Sequence, residues 1–179
     1  PEELRPWLHE GVTSYDIEDT ANSILMKESL GLIMGKLQEL MEIMEERAIY
    51  YQYMPEIGRT HGIHAEPITF GVKLANWYAE LNRHYSRLET LYNDVSVGKI
   101  SGAVGMYTLN PVVEELVCTN LCLTPIIATQ IISRDIIADY MAKLANLAAT
   151  IAKISTDLRL LSQTEIGEIM EPFGKDQKG

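Results

Sequence analysis

Basic residues are scarce. Fifteen Lys and Arg stand against 25 Asp and Glu, giving a formal net charge of −10, and the basic residues form no cluster. A phosphate backbone or an anionic bilayer is held by dense positive charge. Nucleic acid and membrane surfaces are therefore excluded as general partners, while a small anion held by local groups is not. Cysteine is scarcer still. Cys118 and Cys122 are the only two, and their spacing of four in a helix-like stretch reads as two buried thiols on one helical face, which fits a reducing compartment. No apolar run approaches a membrane span and no basic-then-apolar leader opens the chain, so cytoplasm is the expected location.

Proline is missing between Pro6 and Pro55, and both proline and glycine are missing from Ser133 to Ile166. Such gaps leave room for long helices. In the first, Leu30, Ile33, Leu37, Leu40 and Met44 step by three and four, as one helical face does. Thr13 and Asp16 form a capping-box pattern that starts this helix after Gly11–Val12–Thr13–Ser14. A second face runs from Phe70 through Leu74, Trp77, Leu81, Leu88 and Leu91 to about Val95, with Pro67 able to open that helix. A third runs from about Ser133 to Ile166, with Ile137, Met141, Leu144, Ala148, Ile151, Leu158 and Leu161 as its expected buried side. Asn110 and Pro111 open a short helix to about Cys122.

Strand patterns and repeats are lacking, and Tyr53–Pro67 reads as an ordered loop. With 46% apolar and 22% charged residues in 179, the chain has the means to bury a core. The expected class is all-α, an elongated bundle of long helices forming one domain over residues 1–179. Helices of about 30 residues run roughly 45 Å. Three of them leave apolar faces for other helices or subunits to cover.

Chemistry-bearing residues are concentrated in Arg59–Thr60–His61–Gly62–Ile63–His64–Ala65–Glu66–Pro67. A histidine titrates near neutrality and can pass a proton in a transition state. His61 is read in that role, and His64 as a structural histidine bonded to backbone. His61, His64 and Glu66 could also be metal ligands, but the helical His-Glu-x-x-His pattern is absent. Gly98–Lys99–Ile100–Ser101–Gly102–Ala103–Val104–Gly105 matches neither nucleotide-binding glycine pattern and reads as a tight turn, with Gly102 and Gly105 supplying unusual backbone angles and Ser101 a candidate contact. His9, Thr13 and Ser14 precede a helix N-terminus, a place suited to a carboxylate or phosphate as well as to ordinary capping. Gln130 offers both donors and an acceptor, Arg134 and Asp135 read as a surface ion pair, and His84 is given no function.

Taken in order, Gly11–Asp16, Arg59–Pro67, Gly98–Gly105 and Thr129–Gln130 with Ser133–Arg134–Asp135 resemble adenylosuccinate lyases of bacterial type, a branch of the fumarase/aspartase superfamily. The resemblance covers nearly the whole chain. It implies a lyase that eliminates fumarate from adenylosuccinate to give AMP, and from the succinylated carboxamide ribotide of purine biosynthesis. His61 matches the general acid; Thr13, Ser14 and Thr60 match substrate-anion contacts; Gln130 matches the substrate-orienting glutamine; His9 matches a histidine near the nucleotide. It implies a homotetramer whose sites combine three subunits, with no metal or organic cofactor. Pro1 and the stretch Glu171–Gly179 read as cuts through a longer protein, so that an N-terminal domain and the base-bearing signature loop are missing and the piece alone is inactive. Tyr15 departs from the serine common there. Two rivals remain: another superfamily member, such as an argininosuccinate lyase or carboxymuconate cycloisomerase, and a non-catalytic helical oligomerisation module.

Overall fold

The structure is a computed structural model that describes residues 2–177. After a short 3-10 helix, Glu2–Trp7, come α1 (Ser14–Tyr50), strands β1 (Pro55–Thr60) and β2 (Ile63–Thr69), α2 (Phe70–Asp94), β3 (Val97–Gly98), α3 (Val112–Asn120), β4 (Thr124–Pro125) and α4 (Asp135–Leu161). The helical class holds. No helix among the described residues is long and apolar enough to cross a membrane.

The chain divides into two compact units. One comprises residues up to Lys36 and Tyr85–Lys143; the other comprises Leu37–His84 and the residues from Leu144 on. Each of the three long helices contributes to both. In the first unit Leu30, Leu88, Leu91 and Val95 are buried, and in the second Leu37, Leu74, Trp77 and Leu81, so the apolar faces read from α1 and α2 are the packed ones. Burying each such side chain contributes about 1.5–3 kcal/mol. Large apolar side chains also remain exposed, among them Leu25, Leu32, Ile43 and Met141.

Helix starts follow local chemistry. The Asp16 carboxylate accepts the Thr13 N–H at 2.8 Å, which is half of the capping box and places a negative charge at the positive end of α1. Thr69 Oγ1 accepts the Val72 N–H at 3.2 Å and caps α2.

Five expectations are corrected. The segment read as a loop is an antiparallel hairpin, β1 paired with β2 from Pro55↔Thr69 to Thr60↔Ile63, with a bulge between Ile57 and Arg59. Most of its residues are exposed on both faces, so the alternation that betrays a strand is absent. Pro67 pairs with Ile57 in this hairpin and α2 begins only at Phe70. Helix α4 spans Asp135–Leu161 and ends five residues before Ile166, where the Leu161 carbonyl accepts the N–H of Glu168 at 3.0 Å and Gly167 takes φ 59°. Its buried positions are Leu147, Thr150, Ile154 and Leu161; Leu161 was expected, while the other three lie on a stripe adjacent to the expected one, because a helix apolar on two neighbouring faces does not reveal which of them meets the core. Cys118 is buried but Cys122 is exposed at φ 54°, past the end of α3.

Candidate active site

In the first unit, α1 brings two aspartates, one helical turn apart, against two loops. Asp16 is completely buried. Its carboxylate accepts the N–H groups of Thr13, Ser101 and Gly102 at 2.8, 3.2 and 3.2 Å and pairs with the ammonium of Lys99, itself wholly buried. Thr20 Oγ1 bonds the Lys99 backbone at 3.1 Å, and buried Glu114 on α3 accepts the Ile100 N–H at 2.7 Å and the Tyr107 hydroxyl at 2.8 Å. That bond to Glu114 raises the Tyr107 pKa, and burial raises that of Cys118. The glycine-rich turn is thus held to the start of α1 on one side and to α3 on the other. Gly102 and Gly105 stand at φ 81° and 80°, as a tight turn requires. The Ser101 hydroxyl is buried and has no hydrogen-bond partner among the described residues.

Asp19 holds the second loop. It accepts the Ile132 N–H at 2.8 Å and pairs with Arg134 at 2.8 Å. The ion pair expected between Arg134 and Asp135 is therefore not the one formed: Arg134 turns to Asp19, and Asp135 opens α4. The Tyr15 ring lies 5.6 Å from the Arg134 guanidinium carbon, a cation–π distance. A side chain at Gly105 would meet the Ala128 carbonyl at 2.3 Å, so the glycine-rich turn runs against the irregular segment leading to Gln130. Thr13 is half-buried, while Ser14 and Gln130 are exposed. His9 is exposed too, at φ 74°.

Thr60 and His61 belong to the second unit, at the hairpin tip. Thr60 pairs with Ile63, leaving His61 and Gly62 as the two turn residues at φ 56° and 74°. Two consecutive positive φ values are the signature of the turn whose twist suits a two-residue hairpin. Both Thr60 and His61 are exposed. Arg59, next to Thr60, donates to Glu168 through both terminal guanidinium nitrogens at 2.9 and 2.5 Å. Those bonds raise the Arg59 pKa and lower that of Glu168. Lys73 pairs with buried Glu56. A cleft of about 1130 Å³ runs along the hairpin, lined by residues that include Arg59, Thr60, His64, Glu66, Lys73 and Asp157; His61 is not part of its lining. His84, mid-helix, is buried, with Nε2 at 2.8 Å from Thr150 Oγ1, and Thr150 in turn donates to Glu80. A hydroxyl has one proton to give, so in this chain of bonds His84 donates to Thr150 through Nε2. Among the described residues no three His, Cys, Asp or Glu side chains gather as a metal ion would require.

Residues 1–179 match the model of the family described as "Lyase". The chain belongs to the lyase family. This lyase-family chain is 45% identical to the adenylosuccinate lyase of Bacillus subtilis over 99% of its own length and 42% of the relative's, and 45% identical to that of Thermotoga maritima over 97% and 41%. It thus spans about two fifths of the curated relatives it matches. Among solved structures it is similar to a fumarate lyase from Mesorhizobium sp. BNC1, with a TM-score of 0.83, 32% identity and coverage of 89% of this chain and 38% of that one. It is also similar to β-carboxy-cis,cis-muconate cycloisomerase from Acinetobacter calcoaceticus sp. ADP1, with a TM-score of 0.89, 30% identity and coverage of 96% and 41%.

Of the expected site residues, Thr13, Ser14 and Gln130 lie on segments that α1 organises through Asp16 and Asp19, while Thr60 and His61 share the hairpin tip. Sequence reasoning read Asp16 only as the capping-box partner of Thr13 and missed the other organisers. Asp16 and Asp19 were legible as an i, i+3 pair on the first turns of α1. Lys99 and Glu114 carried no signal, since nothing local distinguishes a buried Lys from an exposed one.

Proposed function

We propose that the protein carrying this chain is an adenylosuccinate lyase that eliminates fumarate from adenylosuccinate and from the succinylated carboxamide ribotide. The observation that carries this reading is the 45% identity to adenylosuccinate lyases along 99% of the chain. The chemistry of the residue types fits it. A base removes a proton from the succinyl carbon beside a carboxylate, the electron pair spreads onto that carboxylate, and the carbon–nitrogen bond then breaks as a double bond forms. His61, solvated and displayed at a turn, donates a proton to the departing purine nitrogen. Donors at Thr13, Ser14 and Thr60 stabilise carboxylate charge as it develops, Gln130 orients the substrate, and His9 lies near the nucleotide. The chain is the central helical domain of this enzyme, and no metal or organic cofactor takes part.

The exposed Leu25, Leu32, Ile43 and Met141 fit faces covered in a cytoplasmic homotetramer whose sites draw on several subunits. The test is fumarate release by the full-length protein from adenylosuccinate and argininosuccinate in parallel, with its mass in solution measured by light scattering. We expect a tetramer that turns over the purine substrate and loses at least ~10²-fold in kcat in His61→Asn. Turnover of argininosuccinate alone would refute the substrate assignment, and full activity in His61→Asn would refute the acid.

A further inference from the structure

We propose that the Arg59–Glu168 ion pair is a positioning device for His61, resting on the reading of His61 as the general acid. Every residue from Thr60 to Pro67 is exposed, so no core packing holds the hairpin tip, and a two-stranded hairpin alone is marginally stable. The strand leading to the tip is already irregular, because the bulge at Gly58 falls between Ile57 and Arg59. Orientation must come from a directional contact made near the tip. Arg59 makes one, two residues before His61, through two parallel N–H···O bonds of 2.9 and 2.5 Å to Glu168. A fork of this kind fixes the planes of both groups as well as their distance.

The far end of the fork is anchored in its turn. Past α4, the Gly167 N–H bonds the Gln163 carbonyl at 2.7 Å and the Glu168 N–H bonds the Leu161 carbonyl at 3.0 Å. Glu168 is therefore tied by its own backbone to the end of a 27-residue helix. Only 21% and 24% of the two side chains is exposed. The Lys73–Glu56 pair lies close enough to act on the fork, Glu56 on Arg59 and Lys73 on Glu168. The Arg59 fork holds the base of a tip that is exposed throughout and has no side-chain hydrogen bond to another element among the described residues, and the tip carries the acid.

The experiment uses the full-length protein with Arg59→Met, Arg59→Lys, Glu168→Gln and the double variant Arg59→Met/Glu168→Gln. Each single variant should lose about tenfold or more in kcat with KM within threefold, and the double should lose no more than the worse single, as expected of one unit. Arg59→Lys keeps the charge without the fork and should fall with the others. Wild-type kcat in Glu168→Gln or in Arg59→Lys, losses confined to KM, or losses that multiply in the double variant would each overturn the proposal. Should the wild-type protein release no fumarate, the lyase reading fails on its own. The fork is then judged by amide hydrogen exchange at residues 60–63: tenfold faster exchange in Glu168→Gln sustains it, and unchanged exchange overturns it.

Discussion

At the scale of single residues, His61 presents two properties that a substitution can separate. Its φ of 56° lies in the left-handed region, which costs most side chains roughly 1–3 kcal/mol and which His, Asn and Asp tolerate best. His61→Asn should therefore keep the hairpin and the stability while removing the proton donor. His61→Val, β-branched in a left-handed position, should cost roughly 1 kcal/mol or more in a urea titration. Equal stability in the two variants would mean that the turn does not constrain this position. Lys99 offers a second test. Removing one partner of a buried ion pair strands the other, at about 3–5 kcal/mol, but Asp16 keeps three backbone N–H donors. Lys99→Met should thus cost about 3 kcal/mol, near the lower end of that range, and a loss under 1 kcal/mol would show that the N–H donors suffice. The density of reactive groups around His61 was legible in the sequence because polar residues rarely crowd nine positions without reason. The burial of Lys99 was not legible, since it depends on α1, the glycine-rich turn and α3 meeting.

At the scale of elements, helices were read well and the hairpin was missed, for the same reason. A helix half-buried along many turns writes its period into the sequence, as Leu74, Trp77, Leu81, Leu88 and Leu91 do in α2. The β1–β2 hairpin buries little and writes none. What defines it is backbone geometry, above all at Gly58, where an added Cβ would meet the Glu66 carbonyl oxygen at 2.5 Å. Gly58→Ala should push the strands apart at the bulge, with a loss on the order of 1–3 kcal/mol typical of overpacking and faster amide exchange from Arg59 to His64. If the melting temperature and exchange are unchanged, the bulge is soft enough to absorb a methyl group and the hairpin is less constrained than its contacts imply. Apart from Leu161, the stripe of α4 was misplaced by one position in the turn because Met141, Ile151 and Leu158 are apolar yet at least partly exposed, so two neighbouring faces competed and only packing chose between them.

At the scale of the whole molecule, the surplus of acidic residues read first from composition has a consequence in the pH dependence of stability. Several carboxylates are committed to folded-state partners. Arg59 holds the Glu168 carboxyl below its ordinary value of 4.5, and Lys153 with Thr150 does the same for Glu80. Each group binds its proton less tightly when folded, so its contribution is fully present above about pH 4.5 and is lost as the pH falls through the lowered folded value. Both pairs are partly solvated, with 24% and 23% of the carboxylate side chains exposed, and salt screens such pairs. The melting temperature should hold from neutrality down to about pH 5 and then decline, and the decline should begin at the same pH but be shallower in Glu80→Gln/Glu168→Gln. Neutral glutamines have no proton to gain, so the double variant should start lower at pH 7 and converge with the wild type in acid. Parallel curves that never converge would mean that the two carboxylates stabilise by packing and hydrogen bonding alone, leaving the acid sensitivity of the protein to other groups.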